Sequence, residues 1–301
     1  MAGWILWGSS LMLLVIFLGV FYGYGKPSRG KILGIRLSEA HFDDEAVKAV
    51  IWNYKKRNRV WFWIALISMF GMVYKTPYFS ITFSIFMGWT LFVIIGKLWL
   101  FGSAYEQMKA VKKEMGWYDK SIDYEEDCWY GGQFYNNPKS DQFWVKSSSG
   151  LQGGNITVNL ANKKARWTMI ITLVLTAIVI FPLWGSVILE DVSEPAIKFE
   201  HQTINVKSVF SKTTIDLSSV TSVEVVSRPT QGSKINGSAT ERYARGKFYY
   251  SPYGNCKVYL FKSSDIAVLI EVSDALPILI NKKTNDETMN LFEQIVQKLN
   301  E

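Results

Sequence analysis

The chain alternates between long apolar blocks and polar segments. Four blocks hold few charged residues or none, and they run from Trp4 to Tyr24, from about Val60 to Tyr74, from about Tyr78 to Gly102, and from Trp167 to Leu189. Because an α-helix rises about 1.5 Å per residue, about 20 apolar residues cross the hydrocarbon core of a bilayer. We therefore predict four transmembrane helices, and the short link Lys75-Thr76-Pro77 makes the second and third a hairpin.

Tryptophans gather at the ends of these blocks. Six of the twelve in the chain lie there: Trp4, Trp7, Trp61, Trp63, Trp99 and Trp167. Tryptophan is enriched at the depth of lipid headgroups, where one side of the ring is apolar and the other is wet. The pattern favours an aromatic belt over ordinary core aromatics.

The distribution of charge predicts an orientation. Residues 26–59 contain nine basic and four acidic residues, and the fourth block is preceded by Lys163, Lys164 and Arg166. Basic loops stay in the cytoplasm, so both termini are expected outside the cell. The net charge of +7 thus lies beside membrane segments, whereas a nucleic-acid-binding protein would concentrate it on one folded face. We expect a lipid bilayer as partner and no nucleic acid.

The polar segments complete the predicted organisation. Residues 1–103 hold three transmembrane helices with a basic cytoplasmic loop, 104–166 a cytoplasmic helix and β-hairpin unit, 167–189 the fourth transmembrane helix, and 190–301 an extracytoplasmic domain. Residues 42–57 form an amphipathic helix that either lies on anionic lipid or extends the second transmembrane helix. The acidic run 123–127 is interpreted as a solvated face, and Lys97 is expected to reach the membrane surface along its flexible side chain.

Residues 190–301 have the alternation of a β-domain. Five stretches are predicted as strands: Thr213–Leu217, Val220–Val226, Lys247–Tyr250, Lys257–Lys262 and Ile266–Val272. Turns are predicted at Gln231-Gly232, Asn236-Gly237, Pro252–Asn255 and Ser263–Asp265. A final helix begins at the capping box formed by Thr284 and Glu287. The fold class is therefore an α+β membrane protein with a β-domain capped by a helix.

A set of short motifs in this domain is similar to those of a known family. They are Asn236-Gly237, Gly246-Lys247-Phe248, Lys257-Val258-Tyr259-Leu260, Ile280-Asn281 and Glu287-Thr288, in that order. Residues 196–299 thus resemble the bacterial pleckstrin-homology-like (PH-like) domain. Upstream segments around Gly34–Leu37 and Gly132–Ala161 resemble modules of Firmicute multipass membrane proteins that have no established activity. The resemblance implies a PH-like β-domain and supplies no catalytic residues.

The sequence offers little for catalysis. There are two histidines and two cysteines, and the apolar blocks hold no Asp, Glu or His at mid-depth. We predict no enzyme activity, no catalytic residues, no metal and no cofactor. Cys128 and Cys256 fall on opposite sides of the predicted membrane and are expected not to pair.

The predicted function is binding of a protein or peptide on the outer face. The most specific version of this prediction is bacteriocin immunity. The alternatives are an accessory or regulatory subunit of a membrane complex such as an ABC transporter, self-association as a homo-oligomer, and, with less support, an intramembrane enzyme. Phosphoinositide binding is disfavoured because the domain has a small net negative charge. The candidate ligand-binding residues are Arg228, Lys234, Arg242, Arg245, Tyr249, Tyr250 and Tyr253.

Overall fold

A computed structural model describes residues 2–28, 30–71, 77–146 and 156–301. Its helices are α1 (Ala2–Gly23), α2 (Glu45–Phe70), α3 (Phe79–Glu114), α4 (Lys120–Asp127), α5 (Lys163–Val192) and α6 (Asn285–Asn300). By contacts the chain divides into a first unit, residues 1–75 and 82–180, and a second unit, residues 76–81 and 181–301. The chain is thus mixed α and β, with its larger sheet in the second unit.

Among the described residues three helices, and not the predicted four, are long and apolar enough to cross a membrane. They are Trp4–Gly23, Phe79–Glu114 and Lys163–Val192. The second predicted span belongs to α2, whose first half is charged, and the apolar part inside α2, residues 60–70, is only about 17 Å long. That length falls short of a bilayer core of about 30 Å. The predicted remainder, residues 72–74, and the link at Lys75 and Thr76 lie outside the described residues.

α1, α2 and α3 pack together in the first unit. Leu14 of α1, Ala65 and Met69 of α2, and Val93 of α3 share one buried cluster. α2 and α3 lie close together at Gly96 of α3, where an added Cβ would lie 2.0 Å from the Trp61 ring of α2. The Trp61 ring therefore packs against α3 at this position because Gly96 has no side chain.

We expect Gly96→Ala to destabilise this bundle by about 1–3 kcal/mol, because the Trp61 ring has to move. Gly88→Ala is a matched control in the same helix, since nothing lies within 4 Å of its added Cβ. Thermal unfolding of the full chain in detergent measures both variants. Equal melting temperatures for the two variants would contradict the packing argument.

A second core of the first unit joins segments that are distant in sequence. Short hairpins contribute to it: β1 (Lys31–Ile32) with β2 (Ile35–Arg36), β3 (Trp129–Tyr130) with β4 (Phe134–Tyr135), and β5 (Trp144–Lys146) with β6 (Ile156–Val158). Ile32 and Tyr54 pack with Tyr105, Met108 and Trp129. Residues 21–54 and 101–145 therefore form one hydrophobic layer, and α2 continues without a break from the amphipathic segment, as the extension interpretation predicts.

The acidic run is not the solvated face that was predicted. It forms α4, in which Asp123 and Glu126 are buried and each lies 2.8 Å from the Lys112 ammonium. Glu126 also accepts a hydrogen bond from the backbone N–H of Arg36, at 2.8 Å. A buried cation from α3 thus neutralises the two acids and ties α4 to the hydrophobic layer.

The second unit contains two sheets and α6. The strands are β7 (Ala196–Phe199), β8 (Thr203–Lys207), β9 (Lys212–Asp216), β10 (Val220–Ser227), β11 (Gly232–Ala239), β12 (Tyr243–Tyr250), β13 (Gly254–Phe261), β14 (Ile266–Val272) and β15 (Ile278–Ile280). The first three form one sheet, and the others form a six-stranded sheet in the order β10-β14-β15-β13-β12-β11. The five predicted strands correspond to β9, β10, β12, β13 and β14; β14 has the predicted ends, and the ends of the other four differ by a few residues.

Each face of the six-stranded sheet has a core. On one face Tyr259, Val268 and Ile280 pack against the three-stranded sheet and against Leu291 and Ile295 of α6. On the other face a cluster that includes Phe248, Cys256 and Leu269 is buried. Thr284 accepts a hydrogen bond from the N–H of Glu287 at 3.2 Å, so the predicted helix start is confirmed.

The predicted turn at Asn236-Gly237 is wrong, because both residues lie inside β11. Gly237 pairs with Gly246 of β12, and their positive φ angles of 149° and 117° bring the two Cα atoms together. A Cβ on Gly246 would lie 2.4 Å from the carbonyl oxygen of Asn236. Here the glycines serve a close approach of two strands, with a register shift between Lys234 and Asn236.

Candidate functional site

Glu190, near the end of α5, connects several parts of the second unit. Its carboxylate accepts a hydrogen bond from the N–H of Val209 at 2.8 Å and one from the hydroxyl of Ser238 at 3.3 Å. It also lies 3.3 Å from the Arg245 guanidinium, and both side chains are 2% exposed. One buried acid therefore joins α5 to β11, to β12 and to the connection between β8 and β9.

Arg245 completes this junction. Its guanidinium donates to the backbone oxygens of Glu190 at 2.6 Å and Ser193 at 2.8 Å, which are acceptors at the C-terminal end of α5. The rings of Tyr243 and Phe261 lie beside the same guanidinium, at 4.1 and 5.6 Å. Arg245 is therefore a structural residue, and its burial removes it from any surface that a ligand would contact.

Asp191 holds the first turn of α3. Its Oδ2 atom accepts hydrogen bonds from the backbone N–H and the hydroxyl of Ser80, both at 2.8 Å. A carboxylate is favourable there because the first N–H groups of a helix lack intrahelical partners and carry partial positive charge. Arg242 donates to the backbone oxygen of Asp191 at 3.2 Å and lies 4.2 Å from the ring of Tyr78. Arg242 is thus engaged by the same junction.

The other predicted binding residues do not form one surface. Arg228 donates to the backbone oxygen of Ser264 at 2.6 Å. Tyr250 is buried and Tyr253 packs against the same cluster, whereas Lys234 and Tyr249 are exposed. The register places Lys234, Tyr249 and Tyr250 at the end of the β11–β12 pair opposite to Arg242 and Arg245. Burial removes Tyr250 from the candidate ligand contacts.

β11 is the outer strand of its sheet, and sequence reasoning missed it. In the described part of the chain one of its edges pairs with β12 and the other pairs with no strand. Its side chains are exposed except that of Ser238, which is half-buried. On the neighbouring strand Lys247 is exposed and Tyr249 is 48% exposed. A polar strand without an apolar core face has no hydrophobic periodicity from which to predict it.

The turn between β8 and β9 was also missed. It exposes Val209 and Phe210, at 42% and 56%, between the exposed residues Lys207 and Lys212. The available signal was an apolar pair flanked by two lysines inside a predicted β-domain. The N–H of Val209 meets Glu190, so this apolar turn lies beside the end of α5.

The described residues offer no metal site, since no three His, Cys, Asp or Glu side chains are grouped to hold an ion. Cys128 and Cys256 are both buried free thiols. Burial raises the pKa of the Cys256 thiol to about 11, which lowers its reactivity in the folded domain.

Comparison with known proteins gives one finding. A search of curated proteins and a search of solved structures each returned no match. A family model described as the bacterial PH domain matches residues 196–285, which run from β7 to the first residue of α6. Residues 196–285 are therefore a bacterial PH-like domain.

Proposed function

We propose that this chain is a membrane-anchored binding protein of the bacterial cell envelope, without enzyme activity, whose PH-like domain binds a protein or peptide on the outer face. The observation that carries the proposal is the outer edge of β11, which pairs with no strand among the described residues. An unpaired strand edge presents backbone N–H and C=O groups to which an extended segment can add as a further strand.

The side chains around this edge suit an added strand. Ser233 and Asn236 of β11 are small and polar, and they stand beside Tyr249 and Lys247 of β12. Side chains of an added strand could therefore reach across the small residues of β11 and contact Tyr249 and Lys247 of β12. The register shift near Ile235, which is 54% exposed, protects the edge from indiscriminate pairing.

The proposed topology has the basic loop and residues 104–166 in the cytoplasm, with the PH-like domain outside. It requires α2 to cross as a whole, and its 26 residues are about 39 Å long although its first half is charged. Two groups of contacts support it. Residues 21–54 and 101–145 share one hydrophobic layer, so they belong on one side of the membrane. The start of α3 and the end of α5 meet through Ser80 and Asp191, so these two ends belong together as well.

Crosslinking in intact cells tests the binding edge. A photoreactive side chain at position 249 is expected to give one specific adduct, and the same group at Glu224, on the outer strand β10 at the other end of the sheet, is expected to give none. Ile235→Pro removes the backbone N–H at the register shift of β11 and should lower the yield at 249 about fivefold, the value of one hydrogen bond of about 1 kcal/mol.

A control fixes the side of the membrane. With a membrane-impermeant maleimide, Ser233→Cys should label in intact cells, and Gln107→Cys, exposed on the extension of α3, should label only after lysis. The buried Cys128 and Cys256 are replaced by alanine. An adduct that Ile235→Pro leaves unchanged, or no adduct at all, would overturn the edge as the binding site.

The mass of the adduct separates the finer alternatives. A small secreted peptide indicates capture of an antimicrobial peptide, as in bacteriocin immunity. A larger membrane protein indicates an accessory subunit, for example of an ABC transporter. An adduct of two copies of this chain indicates self-association and overturns the proposal of a foreign partner.

A further inference from the structure

The turn between β8 and β9 has the features of a membrane-inserting loop. We name Val209 and Phe210 the apolar tip. They are 42% and 56% exposed and adjacent in sequence, so they form a small apolar patch on the surface of the domain. Lys207 and Lys212 face each other across the hairpin below the tip, and both are exposed. Like charges in directly opposite positions are unfavourable unless an anion lies nearby.

The position of the tip relates it to the membrane. Glu190 is the first charged residue after the apolar run Trp167–Leu189, so it marks where α5 leaves the hydrocarbon core. Its carboxylate accepts a hydrogen bond from the N–H of Val209 at 2.8 Å. Val187 and Leu189, which precede it on α5, are 40% and 57% exposed. Exposed apolar side chains at the end of α5 therefore lie within three residues of Glu190, which holds the turn that carries the apolar tip.

Two backbone N–H groups of the turn already have hydrogen-bond partners within the protein. The N–H of Ser208 donates to the backbone oxygen of Ser211 at 2.7 Å, and the N–H of Val209 is taken by Glu190. Unpaired backbone groups are costly in lipid, so a loop that enters it needs such internal partners. The turn already has them at both of these positions.

We propose that the apolar tip inserts into the interfacial layer of the bilayer, with Lys207 and Lys212 bound to phosphates of anionic phospholipids. The partner is a lipid surface and not a specific headgroup, because two lysines act as point charges without a fitted cavity. A second copy of the chain on this surface is disfavoured, since a symmetric contact would bring four lysines together. This inference requires α5 to be embedded in a membrane and is independent of peptide binding at β11.

A depth measurement on the full chain tests the proposal. Phe210→Cys, in a chain with alanine at positions 128 and 256, carries an environment-sensitive fluorophore in nanodiscs of phosphatidylcholine with phosphatidylglycerol. Ser233→Cys is the control, because it lies about 16 Å along β11 from Ser238, which contacts Glu190. Iodide quenches from water, and a spin label on the lipid quenches from the membrane.

The label at 210 should be quenched by the lipid spin label and shielded from iodide at least about threefold relative to 233, because interfacial elements sit about 5–10 Å into the headgroup boundary. Lys207→Glu with Lys212→Glu should reduce the lipid quenching. Lys234→Glu with Lys247→Glu carries the same charge change on exposed positions of β11 and β12 and should leave it unaltered.

Two results would overturn the inference. Equal iodide quenching at 210 and 233 would place the tip in water. Shielding from iodide without quenching by the lipid label would show that protein covers the tip. If the tip inserts but the glutamate pair changes nothing, the role of the two lysines is refuted.

Discussion

Arg245→Met is expected to destabilise the PH-like domain by about 3–5 kcal/mol, the usual cost of leaving a buried charge without its partner. Glu190 is 2% exposed and would lose its cation, and the backbone oxygens of Glu190 and Ser193 would lose their donors. Methionine keeps much of the volume between the rings of Tyr243 and Phe261. The loss is therefore electrostatic and not a cavity effect.

The buried thiol of Cys256 provides the measurement. It is inaccessible in the folded domain, so in the full chain with Cys128→Ser its rate of alkylation reports opening of the domain. A loss of about 3–5 kcal/mol should raise that rate by about two to three and a half powers of ten, since about 1.4 kcal/mol corresponds to a factor of ten. Lys247→Met, an exposed position on the same strand, is the control.

A change of less than about fivefold for Arg245→Met, equivalent to about 1 kcal/mol, would contradict the structural role of the ion pair. An equally large change for Lys247→Met would show that any substitution in β12 has this effect.

Asn58→Leu is expected to have the second-largest effect, in the helical bundle of the first unit. Lys97 is fully buried and does not reach the membrane surface as predicted, because its ammonium donates to the side-chain oxygen of Asn58 at 2.9 Å. The ring of Phe21 lies 5.9 Å from it. Removing the acceptor should destabilise the bundle by about 2–3 kcal/mol.

The double variant Asn58→Leu with Lys97→Leu separates the pair from general packing. Once both polar groups are gone, most of the stability should return, because an apolar pair replaces a buried polar one. Alkylation of Cys128, buried in the core that contains Tyr54, reports this unit in the full chain with Cys256→Ser. If the double variant is as unstable as the single one, the Lys97–Asn58 contact is not the cause.

The sequence pattern predicted the apolar helices and much of the β-domain. A charge-free run such as Trp167–Leu189 is recognised as a helix long enough to span a membrane from its length alone. β14 was predicted with its observed ends because its side chains alternate between two buried faces. The helix start at Thr284 follows from a local motif whose partners are three residues apart. Features determined by neighbours in the chain were therefore accessible without a structure.

Features determined by distant partners were not accessible. The acidic residues of α4 resemble a solvated face until Lys112 is placed between them. Asn236-Gly237 has the sequence of a turn, and only the opposing Gly246 explains a strand there. Arg245 looked like a free loop cation because its partner, Glu190, is 55 residues away. The candidate site shares this limit, since β11 is recognised as an edge only from the order of the strands.

The contact between Asp191 and Ser80 bears on how the protein is made. The first turn of α3 is synthesised 111 residues ahead of the carboxylate that later accepts its hydrogen bonds. The contact therefore forms only after the ribosome has delivered the end of α5. A chain that stops before Asp191 lacks this link between the start of α3 and the end of α5.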